Sequence, residues 1–300
     1  MRKYTILFLG LALVVSLAVL AGCKAAAPAL GTEDNPIVLA FVPSGEAPDV
    51  IASADLIADL LEEKTGYVIE GSVATSYSAV IEAMGTAKAH MGTLATFAYL
   101  LANEKYGVDV ALVSVRYGAP YYTGEIIVGA DTGITKIEDL AGKTMCWVDA
   151  ASTSGYIIPS VMLKAAGVDP DTDLAQQIEA GSHPNVVLAV YSGDCDAGAC
   201  YVDARDTIAD DYPDVYDKVV VLAESDEIPN DGLQFIKDFP ADMREEIVQA
   251  FLDIMATDEG VEAMGLAYGW EEVIEKDDSF YDPFRATLEA AGVSVEELAE

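Results

Sequence analysis

The chain has 300 residues, 51 of them Asp or Glu against 16 Lys or Arg, for a formal net charge of −35 at pH 7. That balance excludes a nucleic-acid partner, because phosphate contacts need clustered Lys and Arg. With 52% hydrophobic residues the chain can bury one large core or two linked ones, and the acidity reads as a solubilising surface.

The chain opens with Arg2 and Lys3, an uncharged and mostly apolar run from Ile6 to Val19, and then Leu20-Ala21-Gly22-Cys23. A short basic region, an apolar stretch of this length and small residues before a cut mark a secretory signal peptide. A transmembrane helix wants ~20 apolar residues and this run falls short. "LAGC" directly after it looks like a lipobox, so residues 1–22 are expected to be removed and Cys23 to carry the lipid. Residues 23–35 read as a tether rich in Ala and Pro. The mature chain is therefore expected at the membrane, lipid-anchored on its extracytoplasmic face.

From Ile37 onward strands and helices alternate. "IVLAFVPS" reads as a strand ending in turn residues, and 48–64 as a helix with Ile51, Ala54, Ala58 and Leu61 on one stripe. Strands follow at "YVIEGSV", "HMGTL" and "VDVALVSV", separated by helices over 77–87 and 96–105. The pattern restarts with strands at "GEIIVGA" and "KTMCWVD", a helix over 155–166, another over 185–191, and strands at "DCDAGACYV" and "KVVVLAES". From Pro240 the chain reads almost wholly helical. This alternation predicts α/β architecture in two lobes, each a mostly parallel sheet flanked by helices, with a helical C-terminal segment and a ligand cleft between lobes. Lobe one is assigned 36–122 and 226–300, and lobe two 123–225.

The short polar stretches fall at strand ends. Ser44 follows the first strand and Thr75-Ser76-Tyr77 the second; Ser152-Thr153-Ser154 follows "KTMCWVD", and Tyr201 to Asp203 follow "DCDAGAC". Ligands of open α/β sheets bind outside the carboxyl ends of strands, at helix N-termini. The free N–H groups of a helix start, its dipole and adjacent hydroxyls make a neutral anion cradle. One hydroxyl would suffice for a helix cap, and three beside Gly155 leave donors to spare. Pro159 removes an early helix bond and predicts an irregular start.

Apart from Cys23 there are Cys146, Cys195 and Cys200. In a straight strand Cys195 and Cys200 stand too far apart to bridge, five residues at ~3.3 Å against a limit near 7 Å. The three read as small buried side chains. No His/Cys spacing suggests a metal, and no cofactor is expected. His90, in an apolar strand, reads as structural, and the acidic pairs of the tail as solvated faces.

The pieces "VLAFVPSGEA", "ATSYSAVIEAMGTAKAHMGTL", "KIEDLAGKTMCWVDAASTSGYIIP", "GSHPNVVLAVYSGDCDAGACYVDARD" and "IPNDG" occur in an order and combination that resembles the phosphate/phosphite/phosphonate substrate-binding proteins of ABC transporters, which have the type II periplasmic binding protein fold. The resemblance implies a monomeric, non-enzymatic receptor that holds a small phosphorus-containing anion between its lobes and delivers it to an ABC permease in the membrane. Carried over, Ser44 and Tyr77 contribute from lobe one, Ser152, Thr153 and Ser154 cradle the phosphorus oxygens, His183 adds a donor, and Asp231 sits beside the cleft. Asp203 falls where relatives that bind aminoalkylphosphonates place a longer Glu. Thr93 and Leu94 stand where many relatives have an aromatic, which leaves the lobe-one wall unspecified.

Local N–H and O–H donors need no net positive charge, so the site is expected to carry no Lys or Arg against the ligand. Three rival readings compete with this one. A hydrolase using Ser154, His183 and Asp203 or Asp231 lacks a nucleophile elbow. A receptor for a sulfonate or vitamin precursor, and a binding protein linked to a sensor, share the fold.

Overall fold

A computed structural model describes residues 28–299; the expected signal peptide and the expected lipidation site, Cys23, lie outside the described residues. Among the described residues no helix is long and apolar enough to cross a membrane. The first set of elements is β1 (Ile37–Phe41), α1 (Ala47–Thr65), β2 (Ile69–Val73), α2 (Tyr77–Gly85), β3 (Met91–Thr93), α3 (Thr96–Tyr106) and β4 (Asp109–Val115). The chain then crosses on β5 (Tyr121–Tyr122) into β6 (Gly124–Gly129), β7 (Thr144–Trp147), α4 (Ile158–Ala165), β8 (Gln176–Glu179), α5 (His183–Ser192), β9 (Ala197–Tyr201) and β10 (Val219–Glu224). It returns on β11 (Ile228–Pro229) to β12 (Gly232–Phe235), α6 (Ala241–Met255), α7 (Asp258–Tyr268), β13 (Glu272–Glu275) and α8 (Asp282–Ala290).

Two sheets result, in the orders β13-β4-β12-β3-β1-β2 and β10-β6-β9-β7-β8, while β5 and β11 pair with each other. The hinge is this antiparallel pair, Tyr122 opposite Ile228 and Tyr121 opposite Pro229. In the first sheet β1 to β4 run one way, and β12 and β13 run against them. In the second, β6 alone runs against β9 and β10, while β7, β8 and β9 are parallel. The reversed strands β6 and β12 are those that enter each sheet directly from a crossing. A chain arriving through the hinge inserts mid-sheet from the cleft side, opposite to strands whose carboxyl ends face the cleft.

Three expectations need correction. The tail is not almost wholly helical: Glu272–Glu275 forms β13, antiparallel to β4 at the sheet edge. In α1 the buried face is Val50, Ser53, Ala54, Ile57, Ala58 and Leu61, and Ile51 is half exposed. Ala54, Ala58 and Leu61 keep the expected stripe, and Val50 takes the place expected of Ile51. The cysteines are not all inert packing: Cys146 on β7 and Cys195, just ahead of β9, form a disulfide with Cα atoms 6.0 Å apart, and among the described residues only Cys200 is free, and it is buried. The anticipated irregular start before Pro159 is a π-helical turn over Thr153–Ile157 that runs into α4.

Candidate ligand-binding site

The second set meets the first along the carboxyl ends of β1, β7 and β9. Three hydrogen bonds join the lobes there. The N–H of Phe97, at the start of α3, donates to Thr153 Oγ1 at 2.8 Å; that of Tyr77, at the start of α2, donates to Asp149 Oδ2 at 3.1 Å. The N–H of His183, first residue of α5, donates to the Ser44 carbonyl at 3.1 Å. Between them lies a small cavity of ≈ 20 Å³, lined by Ser44, Tyr77, Ala95, Arg116, Tyr122, Ser152, Thr153, Ser154, His183, Tyr201 and Asp231. Four helix starts converge on it: α2, α3, α5 and the π turn that opens α4. Their positive ends favour negative charge there without any net charge on the protein.

The hydroxyls are arranged so that each accepts from the protein. Ser152 Oγ accepts the Gly155 N–H at 3.2 Å, Thr153 Oγ1 accepts Phe97 N–H, and Ser154 Oγ accepts the Tyr122 hydroxyl at 3.4 Å. A hydroxyl has one proton and two lone pairs; Ser152 and Thr153, which accept from main-chain N–H groups, have their protons for Tyr77, Tyr122 or a ligand. All three side chains are buried. Close backbone approach requires glycine at two places. A Cβ on Gly155 would stand 2.4 Å from Val148 Cγ2, and one on Gly124 would stand 3.1 Å from the Ser154 Cβ.

His183 Nδ1 accepts the Tyr201 N–H at 3.2 Å, which places the imidazole proton on Nε2. Burial, and then the charge of Arg116, lower its pKa to about 3, so it serves as a neutral donor. The sign follows: its folded pKa lies below the ordinary ~6.5, so its contribution to stability is present above that value and is lost as pH falls toward about 3. Between pH 6.5 and 5.5 the group is expected to cost the fold ~1 kcal/mol. Denaturant unfolding of wild type and His183→Gln at the two pH values checks this; equal pH slopes in the two proteins would refute a buried neutral His183. The Tyr77 phenol is held above its ordinary range chiefly by burial, while the Ser44 and Ser152 hydroxyls pull it down. It too remains protonated and can donate.

Seven of the eight residues expected in the site, Ser44, Tyr77, Ser152, Thr153, Ser154, His183 and Asp231, line the cavity. Asp203 does not. It has a left-handed backbone, φ 58°, lies 3.8 Å from Arg205 Nη2 and faces a separate outer chamber. Against the expectation of no Lys or Arg at the ligand, the buried Arg116 lines the cavity. A lone arginine ending the apolar strand "ALVSVR" was its available signal. Asp149, which pins α2 across the cleft, was visible only as an acid after a strand. Tyr122 and Tyr201 arrive by way of the hinge and of β9. Thr93 and Leu94 are buried away from the cavity: Thr93 Oγ1 donates to the Tyr268 hydroxyl at 3.1 Å, and Leu94 N–H donates to Gln234 Oε1 at 2.7 Å. His90 is structural, accepting the Val38 N–H at 3.0 Å.

Two α/β lobes joined by a two-strand crossing, with helix N-termini and hydroxyls around a small polar cavity, have the architecture of the type II periplasmic binding protein fold. Residues 39–281 match the family model for the periplasmic substrate-binding protein of phosphonate ABC transporters, and the chain belongs to that family. The family consists of substrate-binding transport proteins rather than enzymes.

The chain is 34% identical over 184 residues to the phosphate-import protein PhnD of Mycolicibacterium smegmatis. That match covers 58% of this chain and 56% of the relative, so it spans little more than half the relative's length. Among solved structures, a binding protein component of an ABC phosphonate transporter from Pseudomonas aeruginosa superposes with a TM-score of 0.78 at 20% identity, covering 85% of this chain and 86% of that one. PhnD1 of Prochlorococcus marinus, solved in complex with methylphosphonate, gives 0.76 at 14% identity, covering 86% and 98%. Both show the shared fold.

Proposed function

We propose that the protein captures a small phosphorus oxyanion, phosphate, phosphite or a short phosphonate, between its lobes and presents it to an ABC permease. The observation that carries this reading is the buried hydroxyl trio Ser152, Thr153 and Ser154, lining a cavity on which four helix starts converge. The cavity is also small, ≈ 20 Å³, which restricts it to a compact ligand.

Asp231 selects for phosphorus over sulfur. Its Oδ1 accepts the Ser114 hydroxyl at 3.1 Å and its Oδ2 the Trp270 Nε1–H at 3.2 Å, which fixes the carboxylate at the cavity wall. A ligand keeping a P–OH near neutral pH donates to the remaining lone pairs, whereas sulfate and sulfonates have no proton to give and are repelled. Asp231→Asn is expected to weaken phosphate binding by roughly 10- to 100-fold and to narrow the preference over sulfate. A variant that retains the wild-type phosphate-to-sulfate ratio would remove Asp231 from selection.

The deciding experiment is calorimetric titration with phosphate, phosphite, methylphosphonate, aminoethylphosphonate and sulfate. Binding of at least one of the first three, with sulfate silent, is expected; no heat from any phosphorus compound would overturn the reading. Anchoring rests on Cys23. Cys23→Ser is expected to abolish lipidation and release the protein from membranes, and undiminished membrane attachment would refute the anchor.

A further inference from the structure

We propose that Arg116 is the specificity-determining residue of this site: its guanidinium is the counter-charge for the oxyanion and also the wall that limits the ligand to a short substituent. This rests on the reading of the site as a phosphorus-oxyanion receptor and adds which residue sets charge and size.

Arg116 is 8% exposed. Among the described residues Arg205, Arg244 and Arg285 each have a carboxylate within 4.0 Å, and none stands that close to Arg116. Its partners are neutral. Nε and Nη2 donate to Asn230 Oδ1 at 3.4 and 3.3 Å, and Nη1 donates to the Tyr268 carbonyl at 3.2 Å. Those bonds use three of five N–H groups, leaving one proton on each terminal nitrogen. The guanidinium carbon lies 4.5 Å from the Tyr122 ring centroid and 5.7 Å from that of Tyr201.

The geometry is held from behind. Asn230 Nδ2 donates to the carbonyls of Ser114 and Ala119 at 3.0 and 3.1 Å, which turns its oxygen toward Arg116. A buried cation without an ionic partner is costly. In a chain of charge −35 this one has no carboxylate within 4.0 Å among the described residues and lines the cavity, so the compensating charge comes from the ligand.

The same side chain lines a second, outer chamber of ≈ 340 Å³, along with Tyr201. Its other walls carry Glu46, Asp49, Asp203 and Asp206. An amine-bearing substituent would find carboxylates there, but Arg116 stands between the chamber and the oxyanion cavity. Wild type is thereby restricted to substituents that end before the guanidinium.

The test titrates wild type, Arg116→Met and Arg116→Ser with phosphate, methylphosphonate and aminoethylphosphonate. Arg116→Met keeps most of the bulk and removes the charge: phosphate and methylphosphonate are expected to weaken roughly 10- to 100-fold, with aminoethylphosphonate still poor. Arg116→Ser also opens the wall, and the affinity ratio of aminoethylphosphonate to methylphosphonate is expected to rise at least about tenfold over wild type. Phosphate affinity of the Met variant within about threefold of wild type would overturn the counter-charge, and an unchanged ratio in the Ser variant would overturn the wall. Should the variants fail to fold, wild type decides: equal affinity for the two phosphonates overturns the wall, and a clear preference for methylphosphonate supports it. Wild type binding no phosphorus compound would instead bring down the receptor reading itself.

Discussion

Replacing Thr153 by Val together with Ser154 by Ala is expected to lower affinity for the phosphorus oxyanion by about 10²- to 10⁴-fold. Each hydroxyl aimed at a charged oxygen is worth roughly 1.5–3 kcal/mol, so two sum to ~3–6 kcal/mol, less any coupling between neighbours. Thr153 carries a second load. Its Oγ1 accepts the buried Phe97 N–H from the other lobe, and a valine leaves that donor unpaired whenever the lobes close. The loss therefore falls on the closed, ligand-holding form. The fold should be spared, because Ser152 still caps Gly155 and the π turn keeps its backbone. Calorimetric affinity measured beside the ligand-free thermal midpoint separates the two roles. A collapsed midpoint with affinity per folded molecule intact would make the hydroxyls structural caps.

Much of this was legible in the sequence because strand ends and helix starts carry local signals. Apolar runs such as "IVLAFV" and "GEIIVG" announce buried strands, and Ser-Thr-Ser before a glycine announces a helix start with donors to spare. The missed strands are those whose identity depends on distant partners. In β12, Gln234 is fully buried and is satisfied only by the main chain of Leu94, 140 residues away, so its polarity masks a core position. In β13, "EVIE" is four residues between acidic segments and becomes a strand by pairing with β4. The same distance hides part of the site. Ser44, Tyr77 and the hydroxyl trio line the cavity from the element ends at which the sequence places them. Arg116 acts through Asn230 and Tyr268 and against tyrosines from the hinge and lobe two, partners that only the hinge topology assembles. Asp203 was misplaced for the converse reason: its neighbours in sequence are right, but its left-handed backbone turns it to the outer chamber.

Removing the disulfide with Cys146→Ala and Cys195→Ala is expected to lower the unfolding free energy by ~4 kcal/mol. The cysteines are 49 residues apart, and a closed loop of that length withdraws about this much chain entropy from the unfolded state. For a protein of this size such a loss lowers the thermal midpoint by about 10 °C. The bond ties β7 to the turn entering β9, adjacent strands of the second sheet. One leads directly to Asp149 and the hydroxyl trio, and the other ends at Tyr201. Ligand affinity at 25 °C is nonetheless expected to hold within a few-fold, because no hydrogen bond described for the cavity uses sulfur and both strands keep their ladders. Reducing agent added to wild type should reproduce the loss and leave the double variant unaffected, since the remaining thiol, Cys200, is buried and unpaired. A bond that survives in the folded protein also fits an oxidising, extracytoplasmic setting. Equal midpoints for wild type and the double variant under non-reducing conditions would show that the two strands hold together without the bond.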